Sequence, residues 1–125
     1  MSVRIIVCGS RRWTNRQVIA DILNQLVLTN GWRYPDPVVV HGAARRGADR
    51  LVEDEAGKAG LLTEPHPADW ERFGKGAGVI RNEEMAALGA VLCVAFWDGV
   101  STGTRDMLDR AAQHGIPTLV IQEDM

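Results

Sequence analysis

"VRIIVCGS", residues 3–10, is an almost unbroken run of apolar and mostly β-branched side chains that stops at a glycine and a serine. A run without alternating polar residues is typical of a strand in a parallel sheet whose two faces are both covered by helices. Gly9 and Ser10 then predict a tight turn at the carboxyl end of the strand. We therefore predict a central parallel strand over Val3–Cys8.

A helix is predicted directly after this strand. Thr14 and Gln17 have the spacing of a capping box, which makes Thr14 the predicted N-cap. The helix is predicted to end at Asn30-Gly31, because glycine favours the left-handed conformation that closes helices. Between these limits apolar residues recur at helical spacing: Val18, Ile19, Ile22, Leu23, Leu26 and Val27.

The alternation of strand and helix continues along the chain. The further strands are predicted over Val38–Val40, Leu61–Pro65, Val91–Phe96 and Thr118–Ile121, and the further helices end at Gly60 or lie around Val79–Leu88 and Thr104–His114. Strands that alternate with helices at this spacing pair in parallel through right-handed crossovers. We predict an α/β fold with one domain over residues 1–125, a three-layer, doubly wound parallel sheet of about five strands.

The composition excludes several classes of protein. A chain of 125 residues with 46% hydrophobic content fits one globular domain with a buried core. The formal net charge of -2 argues against non-specific binding to duplex DNA, which depends on many phosphate contacts. No stretch has the length of a membrane span and "MSVRIIVCGS" lacks the pattern of a secretory signal, so we expect a cytoplasmic protein without membrane attachment.

The two cysteines and three histidines show no metal-ligand spacing, and neither a metal site nor a cofactor is predicted. Cys8 and Cys93 each lie inside a predicted strand and are expected to be buried, reduced thiols. His41, at the end of a strand and without a paired acid, is expected to be a hydrogen-bonded scaffold residue rather than a base. His66 and His114 are expected at the surface.

Four polar loops contain most of the residues that could bind a ligand: "GSRRW" (9–13), "HGAARRGAD" (41–49), "GKGAGVIRN" (74–82) and "DGVSTGT" (98–104). In an open parallel sheet such loops meet beyond the carboxyl ends of the strands, at the switch point. Glycines let backbone N–H groups approach an anion, and helix N-termini favour phosphate. Seven of the 14 basic residues lie in or beside these loops: Arg11, Arg12, Arg45, Arg46, Arg50, Arg81 and Arg105.

Two details limit this interpretation. Gly42 and Gly47 have the spacing of a phosphate loop, but Ala48-Asp49 stands where that motif needs Lys and Ser or Thr, which argues against a nucleoside triphosphatase. Asp49 is also explained by its place in the first turn of a helix, where a carboxylate interacts favourably with the dipole. Trp13, Trp70 and Trp97 stand at strand–loop boundaries, where they could pack or stack on a ring.

Four segments resemble a known family and occur in its order: "GSRRWTN" (9–15), "HGAARRGADRLVEDEA" (41–56), "PADWERFGKGAGVIRNEEM" (67–85) and "AFWDGVSTGTRDM" (95–107). The chain is similar to small YspA-like members of the SLOG superfamily, Rossmann-like proteins that include DprA/Smf and the Lonely Guy phosphoribohydrolases. The resemblance covers nearly the whole chain. It implies a sheet of strand order 3-2-1-4-5, a site for a nucleotide-derived ligand and, because related families form dimers, a homo-oligomer that covers Trp32, Tyr34 and Trp70.

The Lonely Guy branch cleaves an N-glycosidic bond with an arginine early in a helix and a Pro-Gly-Gly-x-Gly-Thr-x-x-Glu segment. The resemblance places Arg81 at the arginine, Gly103-Thr104 at the Gly-Thr and Met107 at the glutamate. A thioether neither stabilises an oxocarbenium ion nor activates water. We therefore expect little or no base release, and Met107→Glu to introduce turnover. The carboxylates that could replace the glutamate are Asp49, Asp98 and Asp106.

The DprA branch, which binds single-stranded DNA, has "GSR" and "GxARGxD" segments similar to those here. Arg45 and Arg46 could contact a nucleic-acid backbone, so a single-stranded nucleic-acid binder is an alternative to a small-molecule site, as is a phosphoribohydrolase. The expected ligand is a nucleoside monophosphate, a nucleotide or an ADP-ribose-like molecule, either substrate or signal. Its phosphate is expected near Gly103-Thr104 and near Ser10-Arg11.

The predicted site residues are therefore as follows. The ligand-binding residues are Gly9, Ser10, Arg11, Trp13, His41, Gly42, Gly47, Ala48, Asp49, Gly78, Arg81, Asn82, Asp98, Gly99, Ser101, Gly103 and Thr104. The catalytic candidates, if the protein is an enzyme, are Arg81, Asp98 and Asp106.

Overall fold

The computed structural model describes residues 2–123 and contains the predicted alternation of strands and helices. The strands are β1 (Arg4–Gly9), β2 (Val38–His41), β3 (Leu62–Pro65), β4 (Leu92–Trp97) and β5 (Thr118–Gln122). The helices are α1 (Arg16–Asn30), α2 (Ala48–Lys58), α3 (Trp70–Phe73), α4 (Ala77–Ala87) and α5 (Thr102–Gln113), with a 3-10 turn over Gly74–Gly76. The sequence did not predict α3 or the turn, because neither is long enough to show helical periodicity.

All neighbouring strands pair in parallel, in the order β3-β2-β1-β4-β5. This confirms the predicted order 3-2-1-4-5 and the doubly wound α/β fold. Ile6 of β1 pairs with Val40 on one side and with Cys93 on the other. The chain first builds outward from β1 through β2 and β3, and then returns to the other side of β1 for β4. The switch point therefore lies between β1 and β4.

Two apolar clusters cover the two faces of the sheet. The first joins α1 and α2 to one face and contains Ile5, Val7, Trp13, Ile19, Leu23, Val39, Ala48, Val52, Ala56, Val94 and Phe96. The second joins α4 and α5 to the other face and contains Ile6, Cys8, Val40, Met85, Ala86, Cys93, Ala95, Met107, Ala111 and Ile116. Cys8 and Cys93 are free and buried, as predicted.

The start of α1 differs from the prediction. The N-cap is Asn15, whose side-chain oxygen accepts a hydrogen bond from the backbone N–H of Val18. Thr14 is exposed and lies one residue before the cap, so the predicted capping box is wrong. The spacing from Thr14 to Gln17 suggested it, but Asn is an equally good cap and reaches the N3 position from Asn15. Gly31 ends the helix in the left-handed conformation with φ 65°, as predicted.

The central strands are buried on both faces, whereas the edge strands are not. In β1 and β4 the inner four residues are buried, which fits their unbroken apolar sequences. In β5, Leu119 and Val120 are exposed although the sequence is equally apolar. An apolar run thus predicts a strand but not its distance from the edge of the sheet.

Within residues 2–123, no helix has both the length and the apolar character that crossing a membrane requires. In the same part of the chain, no group of three or more His, Cys, Asp and Glu side chains is arranged to hold a metal ion.

Candidate functional site

The loops after β1, β2 and β4 meet at the switch point, and Ser10 joins them. The backbone carbonyl of Ser10 accepts hydrogen bonds from the N–H groups of Trp13 and Ala48, and its own N–H donates to the carbonyl of Phe96. The Ser10 side chain is buried, and its hydroxyl oxygen accepts the N–H of Asp98 at 3.0 Å. The start of α2 and the loop before α5 are therefore both fixed to the turn that follows β1.

Two of the predicted glycines are required by this close packing of backbone on backbone. A Cβ on Gly47, which has φ 75°, would lie 2.3 Å from the Cα of Arg11. A Cβ on Gly9 would lie 2.4 Å from the carbonyl oxygen of Phe96. Gly103, in contrast, has no atom within 4 Å of its Cβ position, so the space above the start of α5 is open.

Asp98 shapes the loop between β4 and α5. Its Oδ1 accepts the N–H groups of Val100 at 2.9 Å and Ser101 at 2.8 Å, and its Oδ2 lies 3.0 Å from the Ser101 hydroxyl. Burial opposes ionisation of Asp98, but these hydrogen bonds outweigh it and lower the pKa of the carboxyl to about 2. A carboxylate this acidic is a poor proton donor near neutral pH. The turn then passes through Gly99, which has φ 85°.

Asp106 and Asn82 connect α4 to α5. The Oδ2 of Asp106 accepts hydrogen bonds from the Asn82 amide at 3.0 Å and from the Arg110 guanidinium at 2.9 Å. The buried Asn82 also donates to the carbonyl of Gly103 at 3.3 Å. The structure thus uses two of the three catalytic candidates, Asp98 and Asp106, to hold loops and helices in place.

Arg81, the third catalytic candidate, is a half-buried cation without a carboxylate partner. Its Nε donates to the Asn82 side chain at 2.9 Å, and its Nη1 donates to the carbonyl of Gly42 at 2.5 Å and, more weakly, of His66 at 3.4 Å. Among residues 2–123, no carboxylate oxygen lies within 4.0 Å of this guanidinium, and Nη2 has no hydrogen-bond partner. Burial lowers the pKa of Arg81, while Asp49 opposes that change. The group remains charged, because arginine titrates far above neutral pH.

His41 is a hydrogen-bonded scaffold residue, as the sequence suggested, but the expectation that it has no paired acid is wrong, because Glu53 on α2 is its partner. It is buried, its Nδ1 accepts the N–H of Ala43 at 3.0 Å, and its Nε2 lies 2.6 Å from a carboxylate oxygen of Glu53. Because Nδ1 accepts a hydrogen bond, the proton is assigned to Nε2, which donates to Glu53. The pair fixes a strained turn in which Ala43 adopts φ 57°. Neither ring nitrogen is free to act as a base.

Asp49 is the buried acid of the site. It stands in the first turn of α2, and its Oδ2 accepts the N–H of Ala44 at 3.1 Å. Burial raises the pKa of the Asp49 carboxyl, against the lowering effects of the Ala44 hydrogen bond and of the positive charges on Arg81 and Arg11. The structure therefore supports the helix interpretation of this residue, and it adds a desolvated charge close to Arg81.

Two helices begin at this edge without a side-chain cap. Helices α2 and α5 follow Gly47 and Ser101, neither of which caps the helix with its side chain, whereas α4 continues directly from the 3-10 turn, where the N–H of Ala77 donates to the carbonyl of Gly74. By contrast, α1 and α3 have side-chain caps from Asn15 and Asp69. Uncapped N–H groups and the positive ends of helix dipoles are favourable surroundings for an anion.

The side chains of Trp13 and Met107 point into the protein. Trp13 is buried against Phe96, with ring centroids 5.5 Å apart, and its indole N–H donates to the carbonyl of Asn15. It has no free face for a ligand. Met107 is buried in the second cluster. Met107→Glu would place an unpartnered carboxylate there, so we expect it to destabilise the fold rather than to introduce turnover.

Trp70 is the site residue that the sequence list did not include. It is 50% exposed, the Arg11 guanidinium carbon lies 6.0 Å from its ring centroid, and its ring edge is 3.5 Å from the Cβ position of Gly78. In the sequence, the only feature that marked Trp70 was its position at a strand–loop boundary, which Trp13 and Trp97 share. The Trp97 indole N–H donates to the carbonyl of Ser101, which ties that ring to the loop.

The remaining predicted residues lie at the same edge. Thr104 is buried in the first turn of α5. Six of the seven loop arginines are exposed: Arg11, Arg12, Arg45, Arg46, Arg50 and Arg105. Two surface pockets lie elsewhere and touch none of the predicted ligand-binding residues. One of ≈ 380 Å³ is lined by Val3, Asn30, Trp32, Val91 and Leu92, and one of ≈ 240 Å³ by Ala20, Leu23, Asn24, Glu55, Lys58 and Ala59.

A family model described as "YspA, cpYpsA-related SLOG family" matches residues 3–73, from β1 to the end of α3. The chain belongs to this SLOG family. Its similarity to the Gene 61 protein of Mycobacterium phage D29 is 40% identity over 121 residues, which cover 93% of this chain and 94% of the phage protein. The matched segment contains the loops after β1 and β2, whereas Arg81 and the β4–α5 loop lie beyond it.

A solved structure shares the fold of this SLOG protein. The Moco carrier protein from Chlamydomonas reinhardtii superimposes with a TM-score of 0.64 at 18% sequence identity, covering 98% of this chain and 78% of the carrier protein. At this identity the likeness establishes the Rossmann-like architecture.

Proposed function

We propose that this SLOG protein binds a nucleotide-derived ligand that bears a phosphate, at the carboxyl edge of the sheet between β1 and β4. The observation that carries the proposal is Arg81, whose charged guanidinium is half-buried and lacks a carboxylate within 4.0 Å among the described residues. Leaving a desolvated cation unpaired costs free energy, and a ligand phosphate removes that cost by accepting bidentate hydrogen bonds.

The surroundings of Arg81 support an anion rather than a cation. Asn82 orients the guanidinium and also contacts the carbonyl of Gly103 at the open start of α5. Helix α2 also begins at this edge without a side-chain cap, and the exposed Arg11 lies beside it. The phosphate of the ligand is proposed near Gly103-Thr104 and Ser10-Arg11.

The ligand class proposed is a nucleoside monophosphate, a nucleotide or an ADP-ribose-like molecule, held as a signal or as a substrate. The hydrogen bonds of Asp98 and Asp106 and the buried Met107 favour binding over N-glycosidic cleavage. A second candidate, binding of single-stranded nucleic acid, is favoured by the exposed Arg45 and Arg46 in the β2–α2 loop.

Isothermal titration against a panel of phosphorylated nucleosides tests the proposal. The panel also contains single-stranded oligonucleotides and the molybdenum cofactor named for the structural neighbour. Arg81→Ala should weaken the affinity of the best nucleoside phosphate by roughly 1.5–3 kcal/mol, the range for hydrogen bonds to charged groups. Arg81→Lys should recover only part of it, because lysine lacks the planar fork.

Arg33→Ala is the matched control. Arg33 is exposed in the loop between α1 and β2, away from the carboxyl edge, and its removal should leave the affinity unchanged. Folded wild-type protein that produces no heat with any phosphorylated nucleoside would refute the proposal. Robust base release by the wild type would instead favour a phosphoribohydrolase.

The cytoplasmic location and the homo-oligomeric state expected from the sequence are also proposals.

A further inference from the structure

Trp70 offers an aromatic surface beside the phosphate-binding residues. It is the first residue of α3, and half of its surface is exposed. The Cβ position of Gly78 lies 3.5 Å from the indole ring and 3.9 Å from Nη2 of Arg81, so the ring and the unpartnered guanidinium nitrogen approach the same point. The absence of a side chain at Gly78 leaves the space between them open.

Arg11 faces the same indole from above. Its guanidinium carbon is 6.0 Å from the ring centroid. Atoms in direct van der Waals contact lie about 3.5–4 Å apart, so the guanidinium carbon is not in contact with the centre of the ring. Because Arg11 is exposed and carries a long flexible side chain, it can adopt other rotamers and admit a planar ring beside the indole.

The backbone of Trp70 is well fixed. Asp69 caps α3 by accepting the N–H of Arg72, and the carbonyl of Trp70 accepts the N–H of Gly74. A rigid indole that presents one face gives stacking area at little entropic cost.

We propose that Trp70 and Arg11 form the two walls of a slot that receives the planar base of the bound ligand, while Arg81 binds its phosphate. This inference rests on the proposed function and adds the contact that distinguishes a nucleotide from a sugar phosphate. The other tryptophans do not offer such a face at this edge: Trp13 is buried, Trp97 is tied to Ser101, and Trp32 lines the pocket at the other end of the sheet.

The test compares two probes, AMP and ribose 5-phosphate, which share the phosphate but differ in the base. The wild type should bind AMP roughly 5- to 150-fold more tightly than ribose 5-phosphate, the range for stacking of one base on an aromatic side chain. Trp70→Ala should remove this preference and leave the affinity for ribose 5-phosphate unchanged. Tyr34→Ala, which changes an exposed aromatic in the loop between α1 and β2, away from the carboxyl edge, should leave both affinities unchanged.

A second variant keeps the test decisive if Trp70→Ala unfolds. AMP should quench part of the indole fluorescence of the wild type, and Trp70→Phe should abolish that quenching while retaining most of the AMP preference, because phenylalanine still stacks. Arg81→Ala should weaken the binding of AMP and of ribose 5-phosphate by the same factor.

The outcomes separate the slot from the phosphate site. If the wild type binds both probes equally, or if Trp70→Ala keeps the AMP preference, the slot is refuted and the phosphate site stands. If the wild type binds neither these probes nor any other phosphorylated nucleoside of the titration panel, the proposed function fails and the slot with it.

Discussion

Two carboxylates at the candidate site have pKa values that are shifted in opposite directions. Asp98 lies in a turn that supplies hydrogen-bond donors, and its pKa is lowered to about 2. Asp49 lies under the β2–α2 loop, where burial raises its pKa. The two residues should therefore affect the free energy of unfolding with opposite signs as the pH changes.

For Asp98, the lowered pKa means that the ionised form stabilises the fold. Its contribution is fully present above about pH 4, the usual pKa of aspartate, and is lost as the pH falls toward 2. Asp98→Asn should lower the free energy of unfolding at pH 7 by about 1 kcal/mol, the typical net contribution of an intramolecular hydrogen bond. Urea unfolding from about pH 7 to pH 3 measures this. A difference that stays constant over that range would contradict it.

For Asp49, the raised pKa means that ionisation destabilises the fold. Asp49→Asn keeps an acceptor for the Ala44 N–H but removes the desolvated charge. The variant should be more stable than the wild type at pH 7, and this advantage should vanish below about pH 4, where the carboxyl is protonated in both the folded and unfolded states. Thermal unfolding at the two pH values checks the sign. A less stable variant at pH 7 would show that the carboxylate's attraction to Arg81 outweighs its desolvation.

The sequence indicated which residues lie at the site better than which way they point. Position after a strand placed Ser10, Asp49 and Asp98 together, because parallel strands end at one edge. The same reasoning placed Trp13 there, but its side chain turns back into the core. Side-chain direction depends on tertiary packing, which residue spacing does not report.

At the level of elements, the uncapped start of α5 gives a test that separates stability from binding. Gly103 lies in the first turn of α5, and its Cβ position is free of contacts. Gly103→Ala should raise the stability of the protein by up to about 1 kcal/mol, because alanine favours helix more than glycine does. It should also weaken AMP binding by roughly tenfold, because the new methyl group occupies space beside the N–H groups proposed to bind phosphate.

Gly57 provides the matched control. It lies in α2, far from the N-terminus of that helix, and its Cβ position is also free of contacts. Gly57→Ala should raise the stability in the same way and leave AMP binding unchanged. Calorimetric unfolding and titration of both variants measure the two effects. If both variants bind AMP with equal affinity, the phosphate does not bind at the start of α5.

Helices and strands were predictable where the apolar pattern of the sequence extends over several helical turns or several strand residues. The five strands and the four long helices follow from apolar runs and stripes, and their predicted ends differ from the observed ones by a few residues. Helix α3 was missed because four residues carry no period, and its stability comes from the Asp69 cap. The side chain that the further inference depends on, Trp70, therefore lies in the least predictable element.

For the molecule as a whole, charge and apolar surface are distributed unevenly. The net charge is -2, yet six exposed arginines lie in or beside the loops at the carboxyl edge of the sheet. Such a focused field raises the local concentration of anionic ligands and should make their binding sensitive to salt. On α4 and its C-cap residue, two large apolar residues on neighbouring sides of the helix are exposed: Ile80 (36%) and Leu88 (62%).

Ile80 and Leu88 mark the surface where we expect a second copy of the chain to bind, because a two-fold dimer can cover the same patch on both subunits. The double change Ile80→Lys with Leu88→Lys should convert the protein to a monomer in light scattering, since lysines would face each other across the interface. Leu28→Lys on α1, at an equally exposed position on the other face of the sheet, should leave the dimer intact. A wild type that is monomeric even at high concentration would exclude the dimer, and a dimer that survives both changes would place its interface on another surface.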